Sequence, residues 1–306
     1  RSSDLIHGSE IMSRKKKTAL RSGGINPDHF NKSQFKFLLI LAPICFVMAL
    51  PLVFIFFNAF KPIDELFAYP PRFYVKNPTW ENFSDLFAMA SDTDVPAVRY
   101  LFNSIVSTAA VVILTVVISV CTGYVLSKKN FRAKKLLFTI NTLGMMFASA
   151  AVAIPRYFVI VYTGLQDNFF ANIIPLLVAP TGVFLIKQNI DQMPDALIEA
   201  AVIDGASDYK IISKIVFPLV SPAVATVAIT TFQMAWGATE ASTLYIDSEA
   251  LKTFPFYINS LTGSAGGIAG VGMAAAATLI LFLPNLIIFI IMQSRVMNTM
   301  MHSGIK

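Results

Sequence analysis

A glutamate and two alanines, Glu199-Ala200-Ala201, are followed by Asp204, Gly205, Ile215 and Pro218 in one of the few polar stretches of a greasy chain. None of these side chains is arranged to make or break bonds. A carboxylate flanked by alanines can meet a partner's Arg or Lys, and the small residues let that surface come close. Two other ionisable residues, Arg156 and Glu240, lie inside apolar runs, where an unpaired charge costs about 2.5–3.5 kcal/mol at the centre of a span and less near the interface. Their depth matches and their signs are opposite, so they are expected to pair or to line the outer part of a cavity. Two independent snorkelling side chains are the alternative. Thr226, Thr230, Gln233, Gly237 and Glu240 recur at offsets 0, 4, 7, 11 and 14. On one helix they would occupy an arc about 80° wide, a polar and small stripe that faces other helices or a water-filled path. Both readings stay open for the Thr and Gly positions. No Gly-x-x-x-x-Gly-Lys-Ser/Thr run occurs, nor a recognisable nucleophile and base, and the 3 histidines have no cysteine nearby to build a metal site.

The elements that must hold these residues are membrane spans. The chain has 306 residues, 55% hydrophobic and only 14% charged, where soluble domains carry roughly 25% charged residues. Six stretches can cross the hydrocarbon core, which takes about 20 residues each: near 36–59, 101–126, 136–161, 171–189, 219–244 and 271–292. Their continuous apolar character, without alternation, excludes a β-barrel and predicts an all-α membrane protein. Cys45 and Cys121 fall inside spans and read as small hydrophobes. Of the 24 Lys and Arg residues, 18 fall on the side that carries both termini and the polar stretch 190–218. That asymmetry places the side in the cytoplasm, so the net charge of +6 sets orientation and does not indicate nucleic acid. A lipid-headgroup contact for Arg14-Lys-Lys-Lys17 is a secondary expectation. Residues 1–35 read as a poorly ordered polar tail without a cleavable leader, with Met12 a sensible native start.

The polar stretch has its own local logic. Pro194 suits a first helical position and Asp195 a first turn. Ala196, Ala200 and Ile203 share a face, with Glu199 beside them. Gly205 supplies a left-handed residue that ends the helix, Ser207 can cap the next, and Pro218 closes it before span five. The product is a short helix–turn–helix in the cytoplasm. A merely connecting interfacial helix would not require Gly205, Ile215 and Pro218 in register with Glu199.

This stretch resembles the EAA loop of the membrane subunit of bacterial ATP-driven (ABC) importers, in which E-A-A is followed by three residues, G, nine residues and I-x-L-P. Only the Leu departs, being Phe217 here. The resemblance implies a six-helix type I importer permease fold, with the loop docked in a cleft of a cytoplasmic ATPase. It assigns Glu199, Ala200, Ala201, Asp204, Gly205, Ile215 and Pro218 to coupling. It also implies a second homologous permease, two ATPase subunits that hold the ATP and magnesium, and an extracytoplasmic solute-binding protein. The segment Lys61-Pro-Ile-Asp-Glu-Leu-Phe, Pro70-Pro71 and Asn82-Phe83 resembles that after the first span of carbohydrate-type permeases, and Met300–Lys306 resembles their short tail. The chain also resembles a maltose-type second permease, which implies an oligosaccharide as solute. Carbohydrate permeases often carry an aliphatic residue at Arg156 and Trp-Asn-Asp where this chain has Trp236-Gly-Ala, which leaves the substrate open.

Two outer segments complete the reading. Thr79 is expected to cap a short helix through Ala90, with Trp80, Phe83 and Phe87 on its apolar side. The loop 245–268 runs into the glycine-rich Thr262–Gly270, expected as a mobile strip that faces the binding protein or simply connects two spans. A permease for another solute remains an alternative. A secondary transporter would show midplane carboxylates or internal repeats, and a membrane enzyme would show clustered His, Asp or Glu; neither pattern is evident.

Overall fold

The computed structural model describes residues 32–70, 72–89, 95–147, 149–264 and 268–303. The expectations for most of the amino-terminal tail, including Met12 and Arg14–Lys17, lie outside them. So do those for Pro71, Ala90, residues 265–267 and residues 304–306. Every regular element among the described residues is helical. Two compact units are distinguished, Arg1–Val53 and Phe54–Lys306. In the first, the described residues belong to helix α1 (Lys32–Ala59), which begins inside the expected tail and is apolar from Phe37 onward despite Pro43 and Pro51.

The second unit is built around α3 (Ala97–Lys128), an unbroken 32-residue helix that starts after Pro96 and carries Lys128 in its last turn, where a cation suits the dipole. One side of α3 is small and buried: Ser104, Thr108, Val111, Thr115, Ser119 and Gly123. Against it lie α6 (Pro180–Asp191) and α9 (Ser221–Trp236). The approach is close. A Cβ on Gly123 would stand 3.0 Å from Ile186 Cγ2, and one on Gly182 would stand 3.0 Å from Ser119 Oγ and 3.1 Å from Val227 Cγ1. Small residues on facing helices are how apolar spans associate without a hydrophobic driving force.

Three of the six expected spans are broken, and prolines account for much of this. The third divides into α4 (Lys134–Gly144), a 3-10 turn (Ser149–Val152) and α5 (Ala153–Tyr162). Pro155 lacks the N–H a continuous helix needs there, and its ring would clash with the preceding turn. The fourth consists of two 3-10 turns, Phe169–Asn172 and Ile174–Leu177, followed by α6 after a 43° bend, with Pro175 and Pro180 at the interruptions. The fifth is α9, which ends at Trp236, and then α10 (Glu240–Leu244). The last span is the longer α12 (Ile268–Ser303), so the expected tail is helical through Ser303.

Between α1 and α3, α2 (Glu81–Met89) starts where the Thr79 hydroxyl accepts the Glu81 N–H at 3.1 Å, and Trp80 and Phe83 pack on Phe60. Buried Asn82 donates to the carbonyls of Ala59 (2.9 Å) and Lys61 (2.8 Å), two acceptors left over at the end of α1. The described residues of the expected mobile strip are helical: Thr262–Ser264 close α11 (Phe254–Ser264) and Ile268–Gly270 open α12.

Candidate functional site

The polar stretch folds as a helical knob. Helix α7 (Asp195–Ile203) has Pro194 just ahead of it, at φ −58° and ψ 130°, one position earlier than expected. Its end is set by Gly205 at φ +75°: the Ala206 N–H reaches Ala201 O at 2.9 Å and the Gly205 N–H reaches Val202 O at 3.0 Å. That pair of bonds is a Schellman ending, which requires a left-handed residue at the turn. Ser207 precedes α8 (Asp208–Ile211), although its side chain caps nothing. The helical run Asp208–Leu219 ends one residue after Pro218, close to the expected closure. A π-turn, Ile212–Val216, leads into a short helix Phe217–Leu219, and an 84° bend follows before α9.

The knob has an inside and an outside. Ala201, Ile211 and Val216 are buried in one apolar cluster with Tyr124 and Ile190, and Ile215 packs against it. Glu199, Ala200, Asp204, Gly205 and Pro218 are exposed, as are Ile203 and Tyr209, each 85% accessible. Sequence reasoning missed what fastens the knob to α3. Lys128 Nζ lies 2.6 Å from Asp195 Oδ1 and donates to Met193 O at 2.8 Å. Lys129 Nζ lies 2.7 Å from Asp208 Oδ1, which also accepts from the Tyr124 hydroxyl at 3.1 Å. The hydrogen bond to Asp208 raises the Lys129 pKa above its ordinary value. These lysines entered the sequence reading only through their charge.

The second constellation lies around a cavity of about 820 Å³ with a mainly apolar lining from α5, α6, α9 and the turns between α4 and α6, together with Arg156, Thr163, Thr181, Thr230 and Thr231. Arg156 Nη1 stands 2.9 Å from Glu240 Oε2 and 3.1 Å from Glu240 Oε1, and the Tyr245 hydroxyl donates to Oε1 at 2.7 Å. The two are therefore partners. Of the stripe, Thr230 lines the cavity whereas Gln233, Gly237 and Glu240 do not. Its geometry also departs from the single helix expected. Gly237 is the residue after the last turn of α9 and Glu240 opens α10, so only Thr226, Thr230 and Gln233 share a helix. Thr226 and Thr230 bond carbonyls of their own helix, Pro222 O at 3.2 Å and Thr226 O at 3.0 Å, which leaves their hydroxyl oxygens free to accept.

A strap from Tyr245 to Phe254 closes the bundle end opposite the knob, also unforeseen. Asn103 donates to Ala250 O and Lys252 O, each at 2.9 Å, Arg99 to Ala250 O at 3.2 Å, and Asn172 to Leu251 O at 3.0 Å. The Asp167 carboxylate accepts from Ser248 Oγ (2.7 Å) and from the Ser248 and Asp247 amides (2.7 and 3.1 Å). These bonds, Ser248 first, hold the Asp167 pKa below the usual carboxylate value.

The architecture has relatives. A solved bacterial ABC transporter involved in the import of the acidic polysaccharide alginate superposes with a TM-score of 0.67, covering 87% of this chain and 98% of that one at 18% identity. The inner membrane ABC transporter permease protein YcjP of Escherichia coli (strain K12) is 26% identical over 87% of this chain and 94% of its own length. The arabinooligosaccharides transport system permease protein AraQ of Halalkalibacterium halodurans is 26% identical over 86% and 93%. Residues 116–294, which contain the second part of α3, all of α6 and α9, the knob and the Arg156–Glu240 pair, match the model of one family. The chain belongs to the inner membrane components of binding-protein-dependent transport systems.

Proposed function

We propose that this membrane permease is one of two such subunits of a bacterial importer for a carbohydrate, an oligosaccharide in particular. The fuel comes from two separate ATPase subunits that hold ATP and magnesium, and solute arrives on an extracytoplasmic binding protein. The observation that carries the reading is the two-sided knob. Ala201 and Ile211 are sunk in this chain's own core while Ile203, Tyr209 and the Glu199 carboxylate stand out from it. An apolar surface of that kind on the polar side of a membrane bundle calls for a protein partner. Glu199, Ala200, Ala201, Asp204, Gly205, Ile215 and Pro218 form or support the docking element. Arg156 and Thr230 line the path, Glu240 holds Arg156, and Gln233 and Gly237 flank it. ATP-driven closure of the engine moves the knob, and the bundle alternates between inward-open and outward-open states. The carbohydrate assignment is supported by the solutes in the names of AraQ and the alginate importer.

The test uses the whole complex in vesicles. Replacing Glu199 and Gly205 with lysine is expected to abolish ATPase capture and solute uptake together. Unchanged stoichiometry, ATP consumption and uptake in that variant refute the docking role. Binding measurements on the cognate solute receptor decide the carbohydrate assignment: a receptor that takes up no sugar removes it.

A further inference from the structure

A knob that is pushed must pass the push on, and its connections along the chain are compliant. Three non-helical residues, Gln192–Pro194, join it to α6, and the π-turn and 84° bend separate it from α9. The stiff neighbour is α3. An apolar cluster joins knob and α3, and because the hydrophobic effect is itself non-directional, hydrogen bonds add the directional fastening. Lys128 grips the start of α7 at Met193 O and Asp195, and Tyr124 and Lys129 grip the first residue of α8 at Asp208. The two grips fall on opposite sides of the Gly205 turn, so together they resist rotation as well as translation. Tyr124 is the central member: its ring is 1% accessible inside the cluster, yet its hydroxyl reaches Asp208.

The other end of α3 is fastened too. Asn103, 1% accessible, holds the strap through two carbonyls. At 1.5 Å per residue the helix carries Tyr124 and Asn103 about 32 Å apart, with no break between them. We propose that α3 is the rod that transmits movement of the knob to the outer strap, and that Tyr124, Lys128 and Lys129 are positioning residues that lock the knob to it. This rests on the reading of the knob as the ATPase-docking element. It adds where the displacement goes and which side chains keep it from slipping.

The experiment reads solute moved per ATP hydrolysed, in vesicles that hold the complete importer with its binding protein. Tyr124→Phe removes one hydroxyl, and Lys128→Gln one ammonium, neither on the docking face. Combined, they are expected to lower solute per ATP on the order of threefold to tenfold, from the weight of hydrogen bonds to charged groups, while ATPase capture stays at the parent level. Lys128→Arg, which keeps the cation, is expected to restore most of the single-variant loss. Should Tyr124→Phe reduce the amount of complex, Asp208→Asn asks the same question from the exposed partner. An unchanged solute-to-ATP ratio in all of these, with Glu199→Lys still losing the ATPase, overturns the rod and leaves the docking reading standing. If Glu199→Lys also retains a normal ATPase and normal uptake, both fall.

Discussion

Gly272 in α12 offers the sharpest arithmetic. A Cβ built there would lie 2.2 Å from Asn82 Oδ1, 2.9 Å from Asn82 Cγ and 3.3 Å from Leu66 Cδ1. Asn82 cannot step aside freely, because its amide nitrogen is committed to Ala59 O and Lys61 O. Flipping the amide would set its oxygen against those two carbonyls. Gly272→Ala must therefore break two buried hydrogen bonds or shift a helix. Stranded acceptors cost about 1–3 kcal/mol each, and forced overpacking typically costs about 1–3 kcal/mol. Alanine returns up to about 1 kcal/mol of helix propensity. Breaking both bonds, less the propensity returned, gives a net loss of about 1–5 kcal/mol. Asn82→Ala alone strands the same two carbonyls, at about 2–6 kcal/mol, but it removes the obstacle. The double variant should then cost no more than Asn82→Ala by itself, a large departure from additivity. Thermal midpoints of the detergent-purified importer supply the measurement, at about 2–4 °C per kcal/mol for a chain of this scale. Additive losses, or a Gly272→Ala midpoint equal to the parent's, would refute the claim that this glycine exists to admit Asn82.

Other predictions concern the working parts. Arg156 and Glu240 are partly exposed, with side chains 27% and 38% accessible, so their coupling is expected at about 1 kcal/mol in a double-mutant cycle. The exchange Arg156→Glu with Glu240→Arg should transport better than either single change, and equal uptake argues against a functional pair. Gly205→Ala meets nothing within 4 Å, so its penalty is the left-handed backbone alone, about 1–2 kcal/mol; a larger midpoint loss would reveal packing not accounted for. The lowered pKa of Asp167 means its carboxylate stabilises the strap at pH above the ordinary value of about 3.9, and that this contribution fades as pH falls through the lowered one. Asp167→Asn should flatten the acid limb of the midpoint profile below about pH 4, and an unchanged limb contradicts the assignment.

What could be read without coordinates was what short stretches of chain decide alone. The Gly205 turn is local, and its Schellman bonds involve residues no more than five apart. Spans follow from composition, and matched depth and sign made pairing of Arg156 with Glu240 one of several open readings, which the 2.9 Å contact selects. The breaks within the spans were missed although Pro155, Pro175 and Pro180 announced them, because hydropathy windows average over single prolines. The polar stripe failed at Gly237, taken as a small residue within a helix when it follows the last turn. Tyr124–Asp208 joins residues 84 apart, and Asn103 meets the strap across 147. No periodicity in either segment encodes such meetings, which exist only once α3, the knob and the strap are placed side by side.

Three consecutive residues of the strap, Ala250, Leu251 and Lys252, are gripped through their main-chain oxygens by Arg99, Asn103 and Asn172. Every amino acid brings the same oxygen, so the seat is indifferent to much of what is written at those positions. Side chains at those positions are therefore free to vary while the foundation beneath them stays put.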